Sequence, residues 1–230
     1  IDNNEVMLGI ILAILAGFLF VSSDTVVKLA RQELPVAMVV WGRFTAHFLL
    51  MLFLFPGRKI NKLFKVNNFK LVIFRGILLL LCTCLFFTAI GYIGLAEANS
   101  IMFISPFFVV ALSIPLLKEK VGIRRWSAVI IGFIGIVIIL RPGFQEIHWA
   151  YFLIIGVAFF FALFTILTRT LSFTETAISM WFYTALVGMV GSSAIVWYYW
   201  QTPTLSQSLM LLFIGAIGGG SHYIVIKAYQ

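Results

Sequence analysis

Charge is what this sequence has least of. Only 10% of its 230 residues are Asp, Glu, Lys or Arg, where a soluble domain carries about 25%. Cysteine is nearly absent as well: Cys82 and Cys84 cannot build a disulfide framework, and their i, i+2 spacing turns them to nearly opposite sides of a helix as small apolar fillers. The three histidines, His47, His148 and His222, form no His-x-x-x-His pair, and no Walker loop occurs. These absences leave no metal site, no cofactor and no catalytic constellation, so the chain is not expected to be an enzyme.

What is present is apolar surface. Hydrophobic residues make up 62% of the chain and Phe alone occurs 24 times, more than a soluble core could hide without large exposed patches. Lipid as the solvent removes the difficulty. A spanning helix needs about 20 mostly apolar residues, and eight such runs occur: Val6 to Val27, Val36 to Phe55, Leu71 to Ile93, Ala98 to Leu117, Val121 to Leu140, Trp149 to Leu167, Ala177 to Trp200 and Leu209 to Ile226. Membrane-barrel strands would be shorter and alternating. The expected fold is an all-α integral membrane protein.

The net charge of +8 then becomes an orientation signal. Arg58, Lys59, Lys62, Lys65, Lys70, Arg75, Lys118, Lys120, Arg124, Arg125 and Arg169 fall on the even-numbered connections, against Lys28, Arg31 and Arg141 on the odd ones. The positive-inside rule makes the even side and the N-terminus cytoplasmic, in a bacterial inner membrane. Membrane lipid is the expected partner of the outer surface, and a nucleic-acid role loses its support.

The chain also resembles itself at a nearly constant offset. Lys28 meets Arg169 at 141 residues, Trp41 meets Trp181 at 140, and Gly76 meets Gly215 at 139. Five spans is an odd number, so the second copy would insert upside down, as inverted transporter repeats do. The expected units are residues 1–141, a first repeat of five helices, and 142–230, three helices of a second. Full repeats would imply a parent of about 280 residues with ten helices, eight of them here; a complete eight-helix protein is the alternative.

Several stretches carry a family resemblance. They are Gly17, Asp24, Lys28, Pro35 and Arg43, then Arg75-Gly76 and Ala96-Glu97-Ala98-Asn99. The most specific are Ser105-Pro106, Lys118-Glu119-Lys120, Arg125-Trp126 and Gly132-Phe133-Ile134-Gly135 running on to Arg141-Pro142. In these the chain resembles the EamA-type transporters of the drug/metabolite transporter superfamily. The resemblance implies two five-helix bundles around a central cavity, carrying small metabolites, often outward, with Glu119 at a structural or gating position.

Ionisable residues inside a span cost about 2.5 kcal/mol or more each, so each should have a reason. Arg43 lies about 5 Å from the middle of the second span at 1.5 Å per residue. It would grip a carboxylate, phosphate or sulfonate, or else pair with Asp24 or Glu97. His47, one turn on along the same face, is a candidate for helix-bridging hydrogen bonds or proton transfer. Asp24 and Lys28 stand i, i+4, the spacing of an ion pair, and Asp24 is a candidate for proton coupling. Pro106 removes the hydrogen bond to the Met102 carbonyl; with Ser105 and Asn99 it would make a polar wall. Gly215 and Gly219 allow close helix approach, and beyond them His222 and Tyr223 would face a substrate. Trp41 and Tyr92 would stack on a flat one.

The expected function is secondary transport, by alternating access, of a small polar or zwitterionic, amino-acid-like metabolite. Arg43 would bind its anionic group, with Asn99, Ser105, Pro106, His222 and Tyr223 supplying hydrogen bonds and shape. The alternatives are a carrier of a larger aromatic-containing metabolite, nucleoside-like or flavin-like, and a membrane receptor or scaffold that transports nothing. The small-molecule substrate is the expected partner, and the protein a monomer or homodimer.

Overall fold

The computed structural model describes residues 3–54, 61–118, 121–140 and 148–228. Phe55, Glu119 and the segment 141–147, with its Arg141-Pro142 motif and the expected repeat boundary, lie outside the described residues. Ten α-helices account for nearly all the rest: α1 (Asn3–Glu33), α2 (Val36–Leu54), α3 (Asn61–Phe64), α4 (Phe69–Ala89), α5 (Leu95–Met102), α6 (Ser105–Leu117), α7 (Ile123–Leu140), α8 (Ala150–Leu171), α9 (Ala177–Val196) and α10 (Leu205–Ala228). Among the described residues there is no strand, and seven helical runs are long and apolar enough to cross a membrane, α5 and α6 together forming one of them, Leu95–Leu117. Helix α7 covers the run expected as the fifth span.

Local chemistry explains where the helices stop. Pro35 has no N–H to continue α1, and its own carbonyl instead accepts from Met38 N at 3.0 Å, opening α2. Thr176 caps α9 by accepting from Ser179 N at 3.2 Å. Buried Glu175 accepts from the backbone N–H groups of Asn67, at 2.9 Å, and Asn68, at 2.7 Å, tying the approach to α4 against the α8–α9 turn. The run expected as one span from Ala98 to Leu117 is divided just before Pro106: α5 and α6 are separated at Phe103 and Ile104, whose N–H groups bond three residues back to Ser100 and Ile101 at 3.2 and 3.0 Å.

The helices pack as α1 on α10, α4 on α8, α2 on both α9 and α10, α4 on α9, and α6 on α8. Small residues permit the tightest crossings. A Cβ on Gly215 would lie 2.6 Å from the Arg43 carbonyl oxygen, and one on Gly76 would lie 2.9 Å from Val187 Cβ. Val27, Met38, Phe44, Phe87, Ile154 and Ile214 are buried between the helices, and large apolar side chains such as Ile14, Phe18, Phe53 and Phe152 face outward, as a lipid-facing surface requires.

Two expectations need correction. Arg75, counted above with a connection, sits two turns inside α4 and is 1% exposed. Lys28 does not turn to Asp24; its ammonium donates to the Ile90 and Ile93 carbonyls across the bundle, because orphan carbonyls at a helix C-terminus attract a cation more directly than a carboxylate on its own helix.

Candidate functional site

The bundle is hollow at its centre. A cavity of about 190 Å³ lies between α1, α2, α4, α5, α8 and α10 and is walled by Phe20, Asp24, Arg43, Thr83, Phe87, Asn99, Phe161 and His222 among others. It meets a second cavity of about 840 Å³, and Phe20, Asn99, Met102, Phe161 and His222 line both. The larger space extends toward the end of the bundle where α1 begins, between Gly9 and Ala13 of α1, Val109 and Val110 of α6, Thr168 of α8 and Ala228 of α10.

Arg43 is the charged centre of the smaller cavity. Its Nη2 lies 3.1 Å from His222 Nε2. A guanidinium has only N–H donors, so Nε2 is the acceptor and His222 is the neutral tautomer with its proton on Nδ1. Arg43 Cζ stands 5.2 Å from the centroid of the Phe87 ring, a cation–π approach. Asp24, half-buried on α1, faces the same space and interacts electrostatically with Arg43. Glu97 is committed elsewhere: its carboxylate accepts from Gly94 N at 3.0 Å and caps α5.

The fold brings six of the expected residues to these cavities. Arg43 and Asp24 line the smaller one, Asn99 and His222 line both, and Ser105 and Pro106 line the larger. Four others sit outside both. Trp41 donates to Ser193 Oγ at 3.1 Å and meets Trp200 edge-on. Tyr92 is exposed in the α4–α5 turn against His148 and Trp149. Tyr223 packs on Trp181, 5.0 Å between centroids. His47 lies against the same indole at 5.1 Å, and its buried Nε2 has no hydrogen-bond partner among the described residues.

Residues 7–141, more than half the chain, match the EamA-like transporter family. The chain belongs to this family. It is 31% identical over 158 residues to an S-adenosylmethionine uptake transporter of Rickettsia bellii, covering 69% of this chain and 54% of that one. It thus spans about half the length of the curated S-adenosylmethionine transporters it matches. Over 96% of its own length it is 28% identical to the pseudopaline exporter CntI of Pseudomonas aeruginosa and 27% identical to a riboflavin transporter of Vibrio cholerae, covering 78% and 76% of those proteins. A crystal structure with 16% identity superposes over 100% of this chain and 80% of the other at a TM-score of 0.72, a likeness of fold. The family and these relatives are carriers of small molecules and not enzymes.

Within this EamA-family chain, sequence reasoning missed much of the cavity wall. Phe20 stands one helical turn before Asp24, a spacing that could have flagged it. Phe86, Phe87 and Phe161 carried no comparable signal among 24 phenylalanines. Arg75 was missed because its position near the start of a run placed it with the basic residues of a connection. It points inward instead. Nε donates to Thr168 Oγ1 and Nη1 to Thr184 Oγ1, both at 2.7 Å, and Cζ lies 4.3 Å from the Phe164 ring centroid. Thr168 and Phe164 are wall residues of the larger cavity, so Arg75 stands one layer behind it.

Proposed function

We propose that this EamA-family chain carries a small zwitterionic metabolite across a bacterial inner membrane as a secondary transporter. The observation that carries the reading is the pair Asp24 and Arg43, an acidic and a basic side chain on different helices, both facing one cavity in the bundle centre. Charges inside a membrane are costly and are kept where they serve a cavity or a pathway. Arg43 uses part of its donor fork on His222 and retains N–H groups for a carboxylate, which a guanidinium binds bidentately. Asp24 is the matching acceptor for an ammonium. Thr83 and Asn99 add neutral hydrogen-bonding groups to the same wall. Relatives named for S-adenosylmethionine, pseudopaline and riboflavin support a small-molecule cargo here.

Alternating access is the mechanism we propose, with inverted repeats at 1–141 and 142–230 as its basis. Exchanging α1, α2 and α4 for α8, α9 and α10 turns the α1–α10 packing into α8–α4 and the α2–α10 packing into α9–α4; both members of each pair occur. Individual contacts follow the same exchange. Gly76 faces Val187, and Gly215 faces Ala46 and the His47 backbone; the offset of about 140 residues carries one crossing into the other. Ser23 Oγ donates to the Ile214 carbonyl at 3.4 Å, and the corresponding pair is Phe164 and Arg75. The larger cavity, which reaches the N-terminal part of α1, would be the cytoplasmic approach, consistent with the basic residues of the even connections.

The test is counterflow in proteoliposomes with labelled amino-acid-like zwitterions, comparing wild type with Arg43→Ala and Asp24→Asn. Saturable exchange lost in both variants is expected. Exchange that survives Arg43→Ala would remove Arg43 from the site, and the absence of exchange from folded protein would overturn the carrier reading in favour of a receptor or scaffold.

A further inference from the structure

We infer that the cargo is bipartite: a zwitterionic head seated between Asp24 and Arg43, joined through a short linker to a flat heteroaromatic group that lies in the larger cavity. This rests on the carrier reading above and goes on to name the shape of what is carried.

The charges and the space are divided unequally between the two cavities. Asp24 and Arg43 both belong to the cavity of about 190 Å³, while none of the described residues that line the cavity of about 840 Å³ carries a charged side chain. Pockets that bury a drug-sized ligand occupy about 300–1,000 Å³. The smaller cavity falls below that range and suits an amino-acid head; the larger lies within it. A head-only substrate would satisfy Asp24 and Arg43 and leave the larger space to water against a mainly apolar wall of Phe103, Val109, Val110, Phe164 and Val225. An attached apolar group that displaces poorly held water there gains affinity.

The junction is built for a flat group. Phe20 and Phe161, from α1 and α8, line both cavities, as does Met102 at the α5–α6 break. Phe20 is held edge-on to His222, 4.8 Å between centroids, and Phe161 is stacked on Phe164 at 5.7 Å, so neither ring is free to fill the passage at will. Two aromatic side chains and a polarizable thioether form an adaptable slot for a planar ring. Asn99 and His222, the other two residues shared by the cavities, place polar atoms at the same level, where a linker or ring nitrogen would pass.

Three probes separate the parts: L-alanine as head alone, adenosine as appendage alone, and S-adenosyl-L-homocysteine as an amino-acid head joined to a nucleoside. In proteoliposome counterflow, the joined probe should exchange with a KM about tenfold or more below that of either part. Phe161→Ala should raise its KM by about tenfold, the scale of one lost aromatic contact, and Phe161→Leu, which keeps the wall closed, should recover part of that loss. Thermal melting in detergent covers the case in which Phe161→Ala folds poorly, since the joined probe alone should raise the Tm of the wild type. If L-alanine exchanges as well as the joined probe and is equally sensitive to Phe161→Ala, the bipartite cargo is overturned while the carrier reading stands. If none of the three exchanges or shifts the Tm, both fall.

Discussion

Arg43 on α2 donates to His222 on α10 across 3.1 Å, joining residues 179 positions apart in sequence. The contact works only with an acceptor on α10, because every nitrogen of the guanidinium is a donor. His222→Phe removes that acceptor from a buried cation and should cost about 1–3 kcal/mol, read as a lower Tm in detergent, with loss of exchange. His222→Gln keeps a carbonyl acceptor and should restore much of the stability. Equal damage from Phe and Gln would mean that the ring's shape matters and the hydrogen bond does not.

Arg75 pins α4 to α8 and α9 through Thr168, Thr184 and the Met180 carbonyl. Thr168→Val and Thr184→Val preserve volume and each leave a guanidinium N–H without its acceptor, so each should destabilise by about 1–3 kcal/mol. Arg75→Lys should be at least as damaging as either, since an ammonium cannot reproduce the planar fork. Denaturation midpoints of the three variants check this. A neutral Arg75→Lys would show that charge alone holds the helices together.

The run Gly218-Gly219-Gly220 contains three different environments. An added methyl on Gly219 would press on the His47 ring at 2.7 Å, whereas one on Gly220 would have no atom of the described residues within 4 Å beyond its own helix backbone and chain neighbours. Gly219→Ala should therefore destabilise by about 1–3 kcal/mol through overpacking. Gly220→Ala should stabilise by up to about 1 kcal/mol from helix propensity. A common sign for the two, measured by thermal melting, would contradict the packing of α10 on α2.

The end of α1 is fastened to the α4–α5 turn. Lys28 donates to Ile90 and Ile93, Arg31 Nε donates to the Phe87 carbonyl at 3.1 Å, and a methyl on Gly91 would meet Arg31 Nη2 at 2.9 Å. This contact lies at the opposite end of α1 from Gly9 and Ala13, which line the larger cavity. Cys82 in the smaller cavity is a native reporter once Cys84 is replaced by Ala. The double variant Lys28→Met with Gly91→Ala should increase labelling of Cys82 by an impermeant thiol reagent applied from the side opposite the N-terminus. Unchanged labelling would show that the fastening does not control access.

Hydropathy and spacing were enough for the helical membrane architecture, because a bilayer demands about 20 apolar residues per crossing whatever the helix packs against. They also sufficed to mark Pro106 as a place where the helix loses a hydrogen bond, since the missing N–H is a property of the residue itself, and for the depth of Arg43, which counting along a run supplies. The ring of cavity residues was only partly legible. Membrane helices are apolar on every side, so their sequence carries little amphipathic signal to separate an inward face from a lipid-facing one. That is why Trp41 and Tyr92 looked as suitable as Phe20 and Phe161, and why Arg75 looked like a boundary residue. Only the tertiary structure decided which faces meet. It set Arg43 against His222, turned Lys28 from Asp24 to the carbonyls at the end of α4, and closed Phe20, Asn99, Met102, Phe161 and His222 around one passage, because each of these depends on the rotation and crossing of helices far apart in the chain.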